Sequence, residues 1–334
     1  MKKIIECVPN FSEGRDTGKI AQITAEVEKV PGVKLLDAES DADHNRTVLT
    51  FIGGPQSIRK ASYNAIARAM EIIDMAEHQG QHPRLGACDV CPFVPIQDVT
   101  MADCVTVANE LAREIGEKLR IPVFLYGEAA RFPERKELAS IRAGQYEGLE
   151  AKLKDSRWKP DYGPAIFNRR SGATMIGARE FLIAYNVYLS TTHGELAHRI
   201  AGIVRESGCM ATTSDGQRIR IPGIFRSVKA VGISPEESGV VEVSMNLTNY
   251  RVSPIHFVFE KIRQLGQLGG ASVLYSEIIG LVPEEAILEA GRFYWPATRS
   301  DKKLIEAAVK NLRLDSPQGF NPRKKIIEYL IGAR

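Results

Sequence analysis

The sequence predicts an α+β protein of two subdomains, each a mainly antiparallel sheet with helices packed on one face. Its 334 residues are enough for two domains that each bury a core. Strand-like apolar runs alternate with longer stretches of helical spacing, and both halves begin with the ferredoxin-like order β-α-β-β-α-β. Hydrophobic residues make up 44% of the chain and charged residues 25%, which excludes a disordered or fibrous protein.

The first half of the chain begins with this order and then extends it. The spacing predicts strands over 4–11, 33–37, 47–52, 90–96 and 122–126, and helices over about 16–29, 56–77, 101–119 and 134–154. Gly53-Gly54-Pro55 separates a strand from the longest of these helices. A loop rich in Gly and Pro follows from 158 to 177, and its length is typical of a functional segment or a linker.

The second half restarts the same order after that loop. The predicted strands cover 181–189, 223–232, 240–247 and 272–279, and the predicted helices cover 193–207, 254–268 and 301–331. The two subdomains are therefore expected to span 1–178 and 179–334. Sequence similarity between the halves is not evident, so the shared order predicts a similar structure and not a sequence repeat.

Charge, hydropathy and cysteine content exclude several classes of protein. The net charge of +3 is too small to predict a nucleic-acid partner. No apolar run approaches the roughly 18 residues of a membrane span. Glu6 follows the start of the chain too closely for a secretion signal. Five cysteines are few and odd in number, which is typical of reduced thiols. We therefore expect a cytoplasmic protein without a membrane partner.

Two histidines and two cysteines have a spacing that resembles a metal site, His78-x3-His82-x5-Cys88-x2-Cys91. Two imidazoles and two thiolates could surround zinc. However, the run after Cys88 predicts a strand, in which Cys88 and Cys91 would point to opposite faces. His78 is expected at the end of a helix, where an imidazolium favours the helix dipole. The preferred interpretation is buried free thiols and no metal.

His82 lies in a segment constrained by Pro83. Histidine is the usual acid–base group near neutral pH, so one interpretation of His82 is catalysis. The other interpretation is a hydrogen-bonded loop histidine. The catalytic interpretation predicts a rate that rises with pH through a group titrating near neutrality.

Carboxylates cluster between Asp37 and Asp43, just before Arg46. Such a cluster could hold a cation, or an amidinium through paired hydrogen bonds. A solvated turn is the alternative interpretation. Calcium is disfavoured because the spacing lacks the glycine and the distal glutamate of an EF-hand loop.

The loop from Gly163 to Gly172 combines an aromatic ring, Phe167, with Arg169 and Arg170. This combination suits a flat anionic ligand that accepts hydrogen bonds. An interdomain linker with solvated arginines is the alternative. The chain has no phosphate-binding loop, nucleophile elbow or dinucleotide fingerprint, so nucleotide and serine-hydrolase chemistry have no support from motifs.

Several motifs together resemble the glutamate formimidoyltransferase (formiminotransferase) family. In the first half these are ECVPNFSEGR (6–15), NRT (45–47), HPRLGA (82–87), DVCPF (89–93), LYGEAAR (125–131), IRAG (141–144) and PDYGP (160–164). The second half matches more sparsely, at FLIAYN (181–186), AHRI (197–200), GLVP (280–283) and residues 323–330. The resemblance therefore extends over essentially the whole chain.

The resemblance implies a specific reaction and fold. The family transfers the formimino group from N-formimino-L-glutamate to N5 of tetrahydrofolate, the co-substrate, in histidine breakdown. Its fold has two α/β subdomains with a folate-bearing cleft between them, and its members are typically homodimers. In animals the domain is fused to a cyclodeaminase, and because this sequence ends at Arg334 we expect that second activity to be absent.

The resemblance also implies roles for individual residues. The family's catalytic histidine falls on His82. Its folate-binding segment falls on Gly163, Pro164, Ala165, Ile166, Phe167, Asn168, Arg169, Arg170, Ser171 and Gly172. Asn168, Arg169 and Arg170 depart from the family pattern, so their contacts stay open. We further infer that Asp37 or Glu39 holds the amidinium, and that Arg46 and Arg84 bind carboxylates of glutamate or folate.

Other functions remain open at this point. Formiminoglycine transfer or a 5-formyltetrahydrofolate cyclo-ligase could use the same fold and folate loop, although a cyclo-ligase needs ATP and no nucleotide motif is visible. A non-catalytic folate-binding protein is a further alternative, which the intact motif around His82 disfavours. The sequence also leaves open whether the folate carries a polyglutamate tail.

Overall fold

The computed structural model describes residues 3–234, 240–315, 317 and 319–332. The chain divides into two units, Met1–Glu180 and Phe181–Arg334. Both units combine a sheet with packed helices, so the predicted α+β class is confirmed. Among the helices of the described residues, none is both long and apolar enough to cross a membrane.

The first unit contains one seven-stranded sheet. Its strands are β1 (Ile4–Cys7), β2 (Asn10–Phe11), β3 (Val33–Asp41), β4 (Arg46–Gly53), β5 (Cys88–Gln97), β6 (Val123–Gly127) and β7 (Thr174–Ala178). The strands β3, β4, β1 and β5 pair antiparallel in that order, and β2 continues the line of β1 between β4 and β5. Beyond β5, the strands β7 and β6 add two parallel pairs.

Of the five α-helices described in this unit, the first three begin at clear capping or proline signals. The five are α1 (Thr17–Glu28), α2 (Pro55–Ile72), α3 (Met101–Glu114), α4 (Leu138–Arg142) and α5 (Gln145–Lys154). Asp16 accepts hydrogen bonds from two backbone N–H groups at the start of α1, and Thr100 and Asp103 form a capping box at the start of α3. Pro55 starts α2, where its missing N–H costs nothing.

Alternation along β6 shows that this sheet is covered on both faces. Val123 and Leu125 lie in the core that also contains buried residues of α1, α2 and α3. Phe124 and Tyr126 point to the other face, into a second core with Leu149 of α5. Helices on one face were predicted, and the short helices α4 and α5 add a partial second layer over β5, β7 and β6.

The second unit has a four-stranded antiparallel sheet in the order β11-β12-β8-β13, and a separate two-stranded hairpin. Its strands are β8 (Ile183–Leu189), β9 (Cys209–Thr212), β10 (Arg218–Ile221), β11 (Val228–Ile233), β12 (Val241–Leu247) and β13 (Val273–Ile279). Its helices are α6 (Gly194–Val204), α7 (Ile255–Leu268), α8 (Glu284–Tyr294), α9 (Asp301–Asn311), α10 (Pro322–Lys325) and α11 (Ile327–Leu330). Apart from the hairpin β9–β10, the order from β8 to β13 is the predicted β-α-β-β-α-β.

Several element predictions are corrected by the structure. The helix predicted over 56–77 ends at Ile72, because Met75 is buried and its backbone N–H donates to the Arg170 carbonyl oxygen at 2.8 Å. The loop predicted over 158–177 contains the start of β7. The hairpin β9–β10 and helix α8 were not predicted. The helix predicted over 301–331 is divided among α9, α10 and α11, and it includes residues 316 and 318, which lie outside the described residues.

Candidate functional site

A β-bulge at Asp89 organises the centre of the first unit. Asn10 pairs with Val90 while the next residue, Phe11, pairs with Cys88, so Asp89 is the extra residue of β5. Its buried carboxylate accepts a hydrogen bond from the Leu85 backbone N–H at 2.8 Å and two from Arg142, at 3.0 and 2.5 Å. The bulge therefore ties β5 both to the loop that carries His82 and to the end of α4.

The His82 loop and the predicted folate loop are hydrogen-bonded to each other. The Ala87 N–H donates to the Ser171 carbonyl at 2.9 Å, and the Ala173 N–H donates to the Leu85 carbonyl at 3.1 Å. Gly172 has φ +68°, and a Cβ there would lie 2.0 Å from the Leu85 oxygen. Only glycine fits this close backbone approach. Two segments about eighty residues apart in sequence are thus joined side by side.

His82 is half-buried in this loop and faces a cluster of positive charge. Burial, followed by the charges of Arg46 and Arg142, lowers the pKa of His82 from 6.5 to about 3. His82 is therefore neutral at pH 7 and can accept a proton. A titration near neutrality was expected from the sequence. In the structure, burial and two nearby guanidinium groups disfavour the imidazolium, so the pKa lies below the value that the sequence predicts.

Arg46 lies at the start of β4 with an unused donor. Its Nε atom is buried and has no hydrogen-bond partner among the described residues. Burial and the charge of Arg142 lower the pKa of Arg46, although an arginine stays protonated at any physiological pH. Arg46 keeps one donor open beside a neutral imidazole, while Arg142 is paired with Asp89, so a carboxylate can accept a hydrogen bond from Arg46 at this position.

Asp37 and Glu39 lie along β3 on the same face of the sheet as Arg46. The register pairs Asp41 with Arg46, Glu39 with Val48 and Asp37 with Thr50, and directly paired residues share a face. Glu39 is close enough to Arg46 to act on its charge, whereas the Asp37 carboxylate accepts a hydrogen bond from the Ala38 N–H at 2.9 Å. Of these two predicted carboxylates, Glu39 is the nearer to the positive cluster.

Arg84 lies in the same loop as His82, but its guanidinium is engaged elsewhere. It is buried, and it donates to both carboxylate oxygens of Glu147, at 2.9 and 2.7 Å. Its Nε also donates to His78 Nδ1 at 3.2 Å. These hydrogen bonds fix the Arg84 guanidinium beneath the loop, between Glu147 and His78. Arg142, which the sequence interpretation did not single out, is the second arginine beside His82.

The histidines and cysteines whose spacing resembles a metal site have other neighbours in the structure. His78 lies in the loop and not at a helix end, and its Nε2 lies 2.9 Å from the Asn45 carbonyl oxygen. Because Nδ1 accepts from Arg84, Nε2 carries the proton. Cys91 Sγ lies 3.4 Å from Cys7 Sγ, and Cys88 lies in the same core because the bulge at Asp89 reverses the expected alternation. Within the described part of the chain, no group of three or more His, Cys, Asp or Glu residues could hold a metal ion.

The predicted folate loop is held by its backbone and leaves several side chains accessible. Phe167 packs against Tyr146 with ring centroids 5.3 Å apart, and the Tyr146 hydroxyl donates to the Arg169 carbonyl oxygen. Asn168 Oδ1 accepts from the Ser171 N–H at 3.0 Å, so this side chain stabilises the turn. Ile166 is 68% exposed, which leaves an apolar surface on the outside of the loop.

Comparisons with known proteins agree with this organisation. Residues 4–179 match the sequence profile described as formiminotransferase domain, N-terminal subdomain, and residues 184–332 match the formiminotransferase domain profile. The glutamate formimidoyltransferase of Streptococcus pyogenes serotype M1 is 42% identical over 92% of this chain and 98% of its own length. The corresponding protein of Thermoplasma acidophilum is 43% identical over 87% and 92%.

Longer proteins match as well. The formimidoyltransferase-cyclodeaminase of Gallus gallus is 43% identical over 100% of this chain. That alignment covers 61% of the relative, so the chain spans about three fifths of the length of such proteins. Because two profiles match nearly the whole chain and several relatives exceed 40% identity, the chain belongs to the formiminotransferase domain family.

Proposed function

We propose that this protein transfers the formimino group from N-formimino-L-glutamate to N5 of tetrahydrofolate, giving 5-formiminotetrahydrofolate and L-glutamate. The observation that carries the proposal is the pair of hydrogen bonds between the segments Leu85–Ala87 and Ser171–Ala173. They hold the proposed base, His82, beside the proposed folate loop. Relatives named glutamate formimidoyltransferase, similar over nearly their whole length, support the same reaction.

His82 acts as the general base in this proposal. N5 of the folate attacks the formimino carbon and becomes more acidic as the new C–N bond forms. A neutral imidazole takes the N5 proton, and the lowered pKa of His82 ensures that the ring is neutral before substrate binds. The tetrahedral intermediate then collapses, the bond to the glutamate nitrogen breaks, and the amine leaves with a proton.

The positive charge around His82 gives the donor substrate a binding site, and substrate binding in turn changes the pKa of His82. Arg46 binds a carboxylate of N-formimino-L-glutamate through its free Nε, next to Arg142, whose Nε and one terminal nitrogen donate to Asp89. The bound carboxylate partly neutralises the two guanidinium groups. Since their charge helps to hold the pKa of His82 near 3, substrate binding raises this pKa and makes His82 a stronger base.

The remaining proposed contacts follow from the placement of the side chains. Glu39, and more distantly Asp37, attract the amidinium of the donor from the same sheet face as Arg46. The residues Gly163 to Gly172 hold the folate, with Phe167 fixed by Tyr146 and Ile166 available to an apolar surface. Arg84 stabilises the loop through Glu147 and does not contact substrate. No step of this reaction uses a metal.

The cellular setting is part of the same proposal. We propose a cytoplasmic homodimer that acts on small molecules, with tetrahydrofolate or its polyglutamylated form as the co-substrate. Gel filtration with light scattering tests the dimer, and the relative kcat/KM of mono- and polyglutamylated tetrahydrofolate tests the preference for the tail.

The reaction is tested by offering three substrates separately. Turnover is measured with N-formimino-L-glutamate plus tetrahydrofolate, with formiminoglycine plus tetrahydrofolate, and with 5-formyltetrahydrofolate plus ATP. The proposal expects release of L-glutamate in the first assay at a kcat/KM far above that of the other two. A higher kcat/KM with formiminoglycine, ATP-dependent turnover of 5-formyltetrahydrofolate, or folate binding without turnover in any assay would each replace the proposal by the corresponding alternative.

A further inference from the structure

A second histidine lies next to His82. The turn between β3 and β4 brings His44 to a ring-centroid distance of 6.2 Å from His82, with the rings edge to face at 71°. His44 Nδ1 lies 2.7 Å from Asp41 Oδ2, and the His44 backbone N–H donates to Asp41 Oδ1 at 2.8 Å. Asp41 therefore fixes both the backbone and the ring of His44. The hydrogen bond from the backbone, with that from the ring, lowers the pKa of Asp41.

The environment of His82 disfavours a bound proton, while the leaving amine needs one, so a second acid–base group is required. A proton accepted by His82 is held weakly, because burial and the charges of Arg46 and Arg142 destabilise the imidazolium. The amine that departs from the donor is strongly basic and must receive a proton as its bond to carbon breaks. One proton is thus removed on the folate side and one is delivered on the glutamate side.

We propose that His44, oriented by Asp41, is the acid that protonates the departing glutamate nitrogen, while His82 is the base that deprotonates N5. This inference rests on the proposed formimino transfer. Neutral His82 gains the N5 proton as the C–N5 bond forms. Protonated His44 loses a proton to the glutamate nitrogen as the C–N bond breaks. Transfer of the proton from His82 to His44 then restores both side chains, so no external acid or base is consumed.

Charged groups from several elements surround the two rings. Asp41 and Glu39 come from β3, Asp43 from the turn, Arg46 from β4 and Arg142 from α4, and Arg15 donates to the Ala42 carbonyl oxygen of the turn at 2.8 Å. Asp41, Asp43 and Glu39 lie on the His44 side, next to the ring that must carry a proton, whereas Asp89 pairs with Arg142. The charges of Arg46, Arg142 and His44 itself act on His82, the ring that must be neutral. The charge distribution therefore matches the assigned roles.

The accessibility of His44 provides a direct test. Its side chain is 44% exposed, so replacement by alanine leaves a space that imidazole from the buffer can enter. We expect His44→Ala to lower kcat for formimino transfer by about 10²-fold, the lower end of the range for a general acid, with little change in KM. Added imidazole should restore kcat in proportion to its concentration. A group that only shapes the turn would give no such rescue.

Three comparisons complete the experiment. His198→Ala removes an exposed histidine of the second unit whose ring lies 3.1 Å from the Gly194 carbonyl oxygen of its own helix, and it should match wild type with and without imidazole. Asp41→Asn should lower kcat less than His44→Ala does and should show no rescue. His44→Gln, checked by circular dichroism, replaces His44→Ala if the alanine variant does not fold, and its kcat should fall by a similar factor with little change in KM.

The outcomes separate this inference from the proposed function. Wild-type kcat in His44→Ala, or a loss without any response to imidazole, overturns the role of His44 and leaves the formimino transfer intact. If His44→Gln has to be used, wild-type kcat in that variant overturns the role in the same way. Absence of transfer by the wild-type chain overturns the proposed function, and with it the role of His44.

Discussion

The two units of this protein share a strand order but not the features that build a site. The order β3-β4-β1-β5 of the first sheet is repeated as β11-β12-β8-β13 in the second. Only the first sheet is extended by β7 and β6, and its bulge at Asp89 ties the sheet to Arg142 and to the His82 loop. The second sheet instead carries the hairpin β9–β10 between α6 and β11. The common order therefore supplies a scaffold, and the additions to it supply the chemistry.

Each unit also holds a histidine with a lowered pKa, and the causes differ. In the first unit, burial and the charges of Arg46 and Arg142 lower the pKa of His82 to about 3. In the second, burial alone lowers the pKa of His256 to about 4, because that ring packs between Phe257 and Phe293. A low pKa is therefore no sign of catalysis by itself. The arginines beside His82 distinguish the two environments.

The largest expected effect tests whether chemistry is confined to the first unit. His82→Ala should lower kcat by about 10² to 10⁴-fold, the usual contribution of a positioned acid–base group, and should leave tetrahydrofolate affinity largely intact. His198→Ala in the second unit is the matched control and should not change kcat. Steady-state kinetics and calorimetric folate binding measure both quantities. Substantial activity in His82→Asn would remove His82 from the catalytic role.

The next effect compares Arg46, which has an unpaired donor in the described part of the first unit, with Arg263, which is paired in the second, through KM for the formimino donor. Arg46→Gln should raise KM for the formimino donor by roughly 10 to 10²-fold, since a hydrogen bond to a charged group contributes about 1.5–3 kcal/mol. Arg263→Gln is the control in the second unit, where that guanidinium pairs with Glu260 on the surface. KM for the donor should be unchanged in this variant. Equal KM values in both variants would contradict the assigned anion site.

These residues show which parts of the site were predictable from sequence. The sequence singled out His82 and the loop from Gly163 to Gly172 because each lies in a local motif, and Arg46 because it follows an acidic cluster; their roles stay predictions. Arg142 has no local signal, because the bulge at Asp89 that holds it depends on strand register, which periodicity does not reveal. The sequence also could not show that Arg84 pairs with Glu147, because these two residues meet only in the folded unit.

The fold was likewise predictable where it depends on local sequence patterns and not where it depends on contacts between distant residues. The β-α-β-β-α-β order follows from alternation and helical spacing, which are local patterns. Strand β7 was missed because Thr174–Ala178 is a short buried run next to glycine, which periodicity cannot assign. The hairpin β9–β10 had a usable signal, Asp215-Gly216 between two alternating runs. The early end of α2 depends on Met75 reaching the Arg170 carbonyl, a contact that no local pattern encodes.

A smaller effect compares two glycines with positive φ, one in each unit. Gly172 and Gly280 have φ of +68° and +69°, so alanine costs about 1–2 kcal/mol of backbone strain at either position. A Cβ at Gly172 also meets the Leu85 oxygen, whereas a Cβ at Gly280 meets nothing within 4 Å. Gly172→Ala should therefore lower the free energy of unfolding more, as measured by urea denaturation, and should weaken folate binding. Equal losses of stability would contradict a close contact between the loop of Gly172 and the loop of Leu85.

The last comparison concerns the pH dependence of stability and sets His82 against His256. In the unfolded chain each ring titrates near its ordinary pKa of about 6.5, while in the folded chain the values are about 3 for His82 and 4 for His256. Between these limits the unfolded state binds more protons, so folding stability rises with pH and is lost as pH falls. His82→Asn should flatten this dependence between about pH 3 and 6.5, and His256→Asn between about pH 4 and 6.5. Urea denaturation at a series of pH values gives the slopes, which compare the variants whatever their absolute stability.

Binding of the donor substrate should change the pKa of His82 but not that of His256. A carboxylate bound by Arg46, next to Arg142, raises the pKa of His82, because it offsets part of their positive charge, and it does not alter the surroundings of His256. The pH range in which His82 contributes to stability should then become narrower, while the range of His256 stays the same. NMR titration of the two rings with and without N-formimino-L-glutamate measures the shift. An equal shift at both rings, or none at His82, would contradict an anion site next to His82.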